Sequence, residues 1–98
     1  MLLFLIGLSL SCKKKEVLPL PAASFYAEVK NCQNDTCIVF FYDNSTNAVS
    51  RFWNFGNGKT SIQISDSAAY IKNSAYNVKL TVKNSDGVTA EKTKIINI

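Results

Sequence analysis

From residue 24 onward the chain alternates. In SFYAEVK, Phe25, Ala27 and Val29 fall on one side and Tyr26, Glu28 and Lys30 on the other, the two-residue period of a half-buried strand. The pattern returns in CIVFFYD, where Val39 and Phe41 oppose Phe40 and Tyr42. It is cleanest in YNVKLTVKN, with Tyr76, Val78, Leu80 and Val82 on one face and Asn77, Lys79, Thr81 and Lys83 on the other. RFWNFG and TSIQIS predict two short strands on either side of a GNGK turn, EKTKIINI predicts a last strand, and DSAAYIKNS reads as irregular. Turn formers separate the runs: NCQNDTC, DNSTNAVS, GNGK and Ser85-Asp86-Gly87. No segment has a convincing helical period. About seven short strands with turns between them predict an all-β fold, a two-sheet antiparallel sandwich.

Alternation also places the aromatic run of RFWNFGNGK. Trp53 and Phe55 share a face and are expected in the core between the sheets, while Gly56 and Gly58 permit backbone angles barred to other residues. In order, VFFYDNS, FWNFGNG and AAYIKNSAYNVKLTVKNSDG resemble the polycystic kidney disease (PKD) domain, an immunoglobulin-like module whose signature is tryptophan, any residue, phenylalanine, then Gly-Asp-Gly. The resemblance covers residues 24–98. Trp53, Phe55, Gly56 and Gly58 match the signature, Tyr70 the tyrosine that follows it, and Tyr76, Val78, Leu80 and Val82 the late strand. Asn57 stands where the signature has aspartate, and Ser74 where a glycine precedes the late-strand tyrosine, which argues against the calcium-assisted loop of a few relatives. The resemblance implies an immunoglobulin-like antiparallel β-sandwich of about seven strands, with Asp43 and Asp66 in ordinary loops.

The beginning of the chain has a different character. MLLFLIGLSL is too short to cross a hydrocarbon core as a helix, which takes about 20 residues, but it fits the apolar region of a signal peptide. With Ser11-Cys12 and the abrupt change to Lys13, Lys14, Lys15 and Glu16, it resembles a bacterial lipoprotein signal in the relaxed form LSLSCKKKE of Bacteroidota. That resemblance implies a signal peptide over 1–11, a lipidated Cys12, an extended tether over 12–23 and the folded domain over 24–98. The alternative is a cysteine inside a cleaved peptide. Two prolines and no period in VLPLPAAS agree with a tether.

Charge adds an exclusion. Of the formal +4, Lys13 to Lys15 with Glu16 supply +2, and what remains forms no basic stripe interleaved with aromatics, so nucleic acid is not an expected partner. Of three cysteines, Cys32 and Cys37 remain once Cys12 is set aside; an exported chain meets an oxidising compartment, and a disulfide between them is expected. A zinc site would need four ligands, and a chain with no histidine and no further thiol does not supply them, so neither metal nor cofactor is expected. The same lack of histidine leaves a serine or cysteine nucleophile without its usual base, and no enzyme is expected.

Candidate binding residues come from the outward half of the alternation. If Val39 and Phe41 are buried, Phe40 and Tyr42 face out, with Tyr26 beside them on the neighbouring strand. The reading is an aromatic platform for a glycan or a protein, against a bland alternative in which a tether or neighbouring domain covers it. Asp66-Ser67-Ala68 also resembles the short O-glycosylation motif of Bacteroidota, which makes Ser67 a candidate modification site. The sequence thus describes a monomeric, lipid-anchored, non-catalytic module at the outer membrane, on its surface or periplasmic side, acting in adhesion or in glycan or protein binding. The rival is a structural spacer or a fragment of a larger multidomain surface protein.

Overall fold

The computed structural model describes residues 18–98. The stretch expected as a signal peptide, Cys12 and the lysines after it lie outside the described residues. Seven strands follow in order: β1 (Phe25–Gln33), β2 (Thr36–Asp43), β3 (Ser50–Asn54), β4 (Thr60–Ser61), β5 (Ser65–Ile71), β6 (Ala75–Lys83) and β7 (Thr89–Asn97). They form two antiparallel sheets, one ordered β1-β2-β5 and the other β4-β3-β6-β7. No helix occurs among the described residues. The fold class is the expected one.

Between the sheets lie Phe25, Val39, Phe41, Trp53, Phe55, Ala68, Tyr70, Val78, Leu80 and Val82. Trp53 stacks on Phe55 with ring centroids 5.5 Å apart and meets the edge of Phe25 at 5.2 Å. Its one polar atom is satisfied, because Nε1 donates to the Gln63 carbonyl at 2.7 Å. The Tyr70 hydroxyl likewise donates to the Phe55 carbonyl at 2.8 Å, and burial pushes its phenol pKa well above the usual range. At the open side of the sandwich, half-buried Lys94 lies with its ammonium 4.9 Å from the centre of the Phe25 ring and donates to the Phe25 carbonyl.

Four local expectations are corrected. Residues 66–74 are not irregular throughout: β5 pairs with β2 along its length, setting Ala68 opposite Val39 and Tyr70 opposite Cys37. Only those two β5 side chains reach the core, so the apolar signal was too sparse to read. Within TSIQIS, Thr60–Ser61 form β4 and Ser65 already begins β5, with residues 62–64 in neither strand. Beyond β4 the backbone crosses toward the other sheet, where the Ile64 carbonyl takes the Asp43 N–H, leaving Ile62 and Ile64 69% and 62% exposed. Val29 is exposed, because a register shift separates it from Asn31 and every residue from 28 to 36 is exposed. Asp43 and Asp66 sit on β2 and β5 rather than in loops.

The stretch expected as a tether is extended but does not hang free from residue 18 on. Pro21 is buried, Ala22 and Thr46 exchange backbone hydrogen bonds at 3.1 and 3.0 Å, and the Pro19 and Leu20 carbonyls accept from the side-chain amides of Asn84 and Asn47, each at 3.2 Å. Asn84, almost wholly buried, also uses its Oδ1 to accept the N–H groups of Asp86 and Val88, each at 3.0 Å. One side chain therefore closes the β6–β7 turn and holds the incoming segment.

Candidate binding face

The outer face of the three-stranded sheet is built in cross-strand rows. Tyr26 lies opposite Tyr42, which lies opposite Ser65; Glu28, Phe40 and Ser67 form the next row; Asn31, Ile38 and Ala69 the one after, beyond the register shift. These positions face outward because their neighbours Phe25, Val39, Phe41, Ala68 and Tyr70 are buried on the other side. Tyr26 and Tyr42 stack, with ring centroids 4.8 Å apart and planes 25° from parallel. Tyr26 is 51% and Phe40 36% exposed, with Tyr42 half-buried between its neighbours.

What stands around them leaves them accessible. On the β5 side the row ends are Ser65, Ser67 and Ala69, side chains too small to cover an aromatic ring from across the ladder. On the β1 side Glu28 is drawn into an ion pair with Lys30 at 3.3 Å. The apolar stripe also runs further than the alternation of β2 alone could indicate. Half-buried Ile38 continues it beyond Phe40, and Ile71, 56% exposed opposite Thr36, extends it at the far corner. Ile38 was legible as the next outward residue of β2. Ile71 was not, since it belongs to the strand the sequence left irregular.

Next to this face the hairpin end is tied. Cys32 and Cys37 are disulfide-bonded, directly opposite each other with Cα atoms 4.0 Å apart, Cys37 buried and Cys32 exposed. Asn34, with φ +56°, turns the chain between them. Ser67, the candidate modification site, lies half-buried in the outward row beside Phe40, its carbonyl accepting from the Lys59 ammonium.

Asp43 and Asp66 are held in separate ion pairs. Asp43 contacts Arg51 Nε at 2.6 Å and accepts the Ser45 N–H at 2.8 Å, and its side chain is only 3% exposed. Burial would raise its pKa, but the hydrogen bonds from Ser45 and Arg51 outweigh burial and hold it below the ordinary value. Asp66 is held low chiefly by the Ser61 hydroxyl and also pairs with Lys59 at 3.2 Å. Both carboxylates are thus occupied in bracing loops. Among the described residues no group of three or more His, Cys, Asp or Glu side chains could hold a metal ion.

The glycine turn after β3 is structural. Gly56 has φ +77°, and a Cβ there would lie 2.3 Å from the Asn77 carbonyl oxygen, so the turn packs against β6 too closely for any side chain. Asn57 stands over it, donating from Nδ2 to the Ala69 carbonyl at 2.8 Å and accepting the Lys59 N–H at 3.0 Å. Beside the turn, an open cleft of about 670 Å³ on the outer face of the four-stranded sheet is lined by Asn54, Gly56, Tyr76, Asn77, Lys79 and Thr93.

Comparison with known proteins agrees with this architecture. The family model described as PKD domain matches residues 17–98. Among solved structures, the PKD1 domain from Vibrio cholerae metalloprotease PrtV is 30% identical with a TM-score of 0.69, over 82% of this chain and 98% of that one. The PKD1 domain of Vibrio anguillarum Epp is 27% identical with a TM-score of 0.70, over 84% of this chain and 96% of that one. A structure of carbohydrate-binding modules from the beta-sandwich superfamily, 24% identical with a TM-score of 0.68 over 84% of this chain and 35% of that one, shares the fold. No curated protein matches the chain.

Proposed function

The chain belongs to the PKD domain family, and on that premise we propose that it is a non-catalytic, exported binding module that engages a glycan or a protein through the outer face of β1, β2 and β5. The observation that carries the reading is the contiguity of that face. Stacked Tyr26 and Tyr42, then Phe40, Ile38 and Ile71, make one apolar stripe, and such a stripe is informative where single exposed apolar residues are not. Aromatic side chains offer rigid contact area at small entropic cost, and a ring face suits a sugar as well as a protein side chain. The module acts as a monomer, held at the outer membrane by lipid on Cys12. The Cys32–Cys37 disulfide suits an oxidising compartment outside the cytoplasm.

Screening the protein against glycans and extracellular proteins, beside a Phe40→Ser, Tyr42→Ser double variant, tests the binding face. Binding that the folded double variant loses supports it; binding that the variant retains moves the site elsewhere. Mass spectrometry of membrane fractions tests the anchor, which an unmodified Cys12 would rule out. A second reading, a spacer that positions neighbouring parts of a longer protein, is favoured by the hold that Asn47 and Asn84 keep on the incoming segment. A spacer would bind nothing in the same screen.

A further inference from the structure

The turn after β3 contains, in Asn57-Gly58, the chain's one asparagine followed by glycine. With no side chain on the following residue, its backbone nitrogen is unshielded and can reach the side-chain carbonyl carbon of the asparagine before it. The local structure favours that approach. Both residues are exposed, Gly58 has φ +98°, and nothing lies within 4 Å of the place a Cβ would take. Among the described residues the Gly58 N–H has no hydrogen-bond acceptor.

The Asn57 side chain is also positioned and polarised. Its Oδ1 accepts the Lys59 N–H at 3.0 Å, so a fixed donor points at the oxygen on which negative charge develops when the carbonyl carbon is attacked. The rest of the turn is pinned around it: Phe55 N–H donates to the Lys59 carbonyl at 3.1 Å and Gly56 N–H to Asn54 Oδ1 at 3.0 Å.

The geometry points to Asn57 as a site of self-modification in the folded protein, requiring only water. The Gly58 nitrogen gives its proton to solvent base and forms a bond to Cγ of Asn57. The Cγ–Nδ2 bond then breaks, and ammonia leaves with a proton from solvent. The product is a five-membered imide. Water opens it at either carbonyl, leaving aspartate or isoaspartate at position 57, so the net change is amide plus water to acid plus ammonia, with nothing oxidised or reduced.

The site matters because Asn57 joins the two sheets. Its Nδ2 reaches from the turn that follows β3 to the Ala69 carbonyl of β5, which lies in the other sheet. After conversion a carboxylate faces that carbonyl, two acceptors with no donor between them. Lys59, already bound to Asp66 and the Ser67 carbonyl, then has a further acid beside it. The modification therefore releases the tie at this edge.

Incubating the folded full-length protein at neutral and mildly alkaline pH, followed by peptide mapping that separates aspartate from isoaspartate, tests the inference. Position 57 should convert before Asn44, Asn73 and Asn84, each followed by serine, with isoaspartate present and a rate that rises with hydroxide concentration. Asn57→Gln should abolish conversion there while melting close to the parent. An intact Asn57 in protein whose other asparagines convert would overturn the proposal, as would conversion seen only in urea. Aspartate formed without isoaspartate would overturn the imide route.

Discussion

On the outer side of the three-stranded sheet the cross-strand rows read Tyr26, Tyr42, Ser65 and then Glu28, Phe40, Ser67. On the outer side of the four-stranded sheet they read Asn54, Lys79, Thr93 and then Phe52, Thr81, Glu91. Both sheets bury apolar residues inward, so the inner faces do not distinguish them. The outer ones do. Phe52, 47% exposed, stands alone among threonine and charge, and Lys79 reaches Glu91 at 3.7 Å in an ordinary exposed pair. The same residue type therefore means different things on the two faces: an isolated surface phenylalanine needs no explanation, whereas Phe40 belongs to a stripe.

The comparison presumes that the two sheets share one core, and the largest expected effect tests that. Trp53→Ala should cost about 3–5 kcal/mol in a thermal or urea melt, a large part of the stability of so small a domain. Phe52→Ala, one residue away but facing outward, should change little. Equal effects would erase the distinction between inside and outside.

Next comes the hairpin end that flanks the aromatic face. Breaking the disulfide with Cys32→Ser should cost about 2 kcal/mol, from the entropy regained by a short unfolded loop, and should leave the fold in place. Thiol titration of unreduced protein gives an independent check, since two reactive thiols would show that the pair does not form.

A pH series sharpens the comparison at the end where β2 meets β3. The Asp43 pKa is lower in the folded chain than its ordinary 3.8, so its contribution is complete above that value and is lost as pH falls through the lower folded one. Melts taken below pH 4 should therefore show a decline that Asp43→Asn reduces. That variant should itself cost about 1–3 kcal/mol at neutral pH, because Arg51 loses a charged partner. An unchanged acid limb would leave Asp43 without this role.

The smallest stability effect is expected on the candidate binding face itself. Phe40→Ser with Tyr42→Ser removes the stack on Tyr26 and should cost roughly 1 kcal/mol or less. Unfolding of this variant would mean that the stripe belongs to a core.

How far these features could be read from the sequence follows from how many apolar side chains each element commits. β6 places Val78, Leu80 and Val82 in the core, and β2 places Val39 and Phe41 there, so both strands and their outward residues were legible. β5 commits Ala68 and Tyr70 between serine, aspartate and alanine, and its pairing with β2 defines it more than its own pattern does. Ile62 and Ile64 misled in the opposite direction. They alternate like a strand's buried face, yet the backbone around them is drawn to Trp53 and Asp43, and both side chains point to solvent. The cysteine pair was legible because the expectation of an exported chain with a lipidated Cys12 left two thiols to join, whereas the clamp from Asn84 to Pro19 spans 65 positions and no local pattern announces it.

Lys94 has a consequence for how the domain behaves in company. β7 is the edge of its sheet, nine residues long, and a strand of that length with a free ladder invites pairing with another molecule. Its inner side carries Lys92 and Lys94 between Ala90 and Ile96, opposite Leu80 and Val78. A second chain docking along this edge would have to desolvate one ammonium and displace the other from the Phe25 carbonyl and ring. The lysine that closes the sandwich thereby also sets a charge against edge-to-edge pairing along β7.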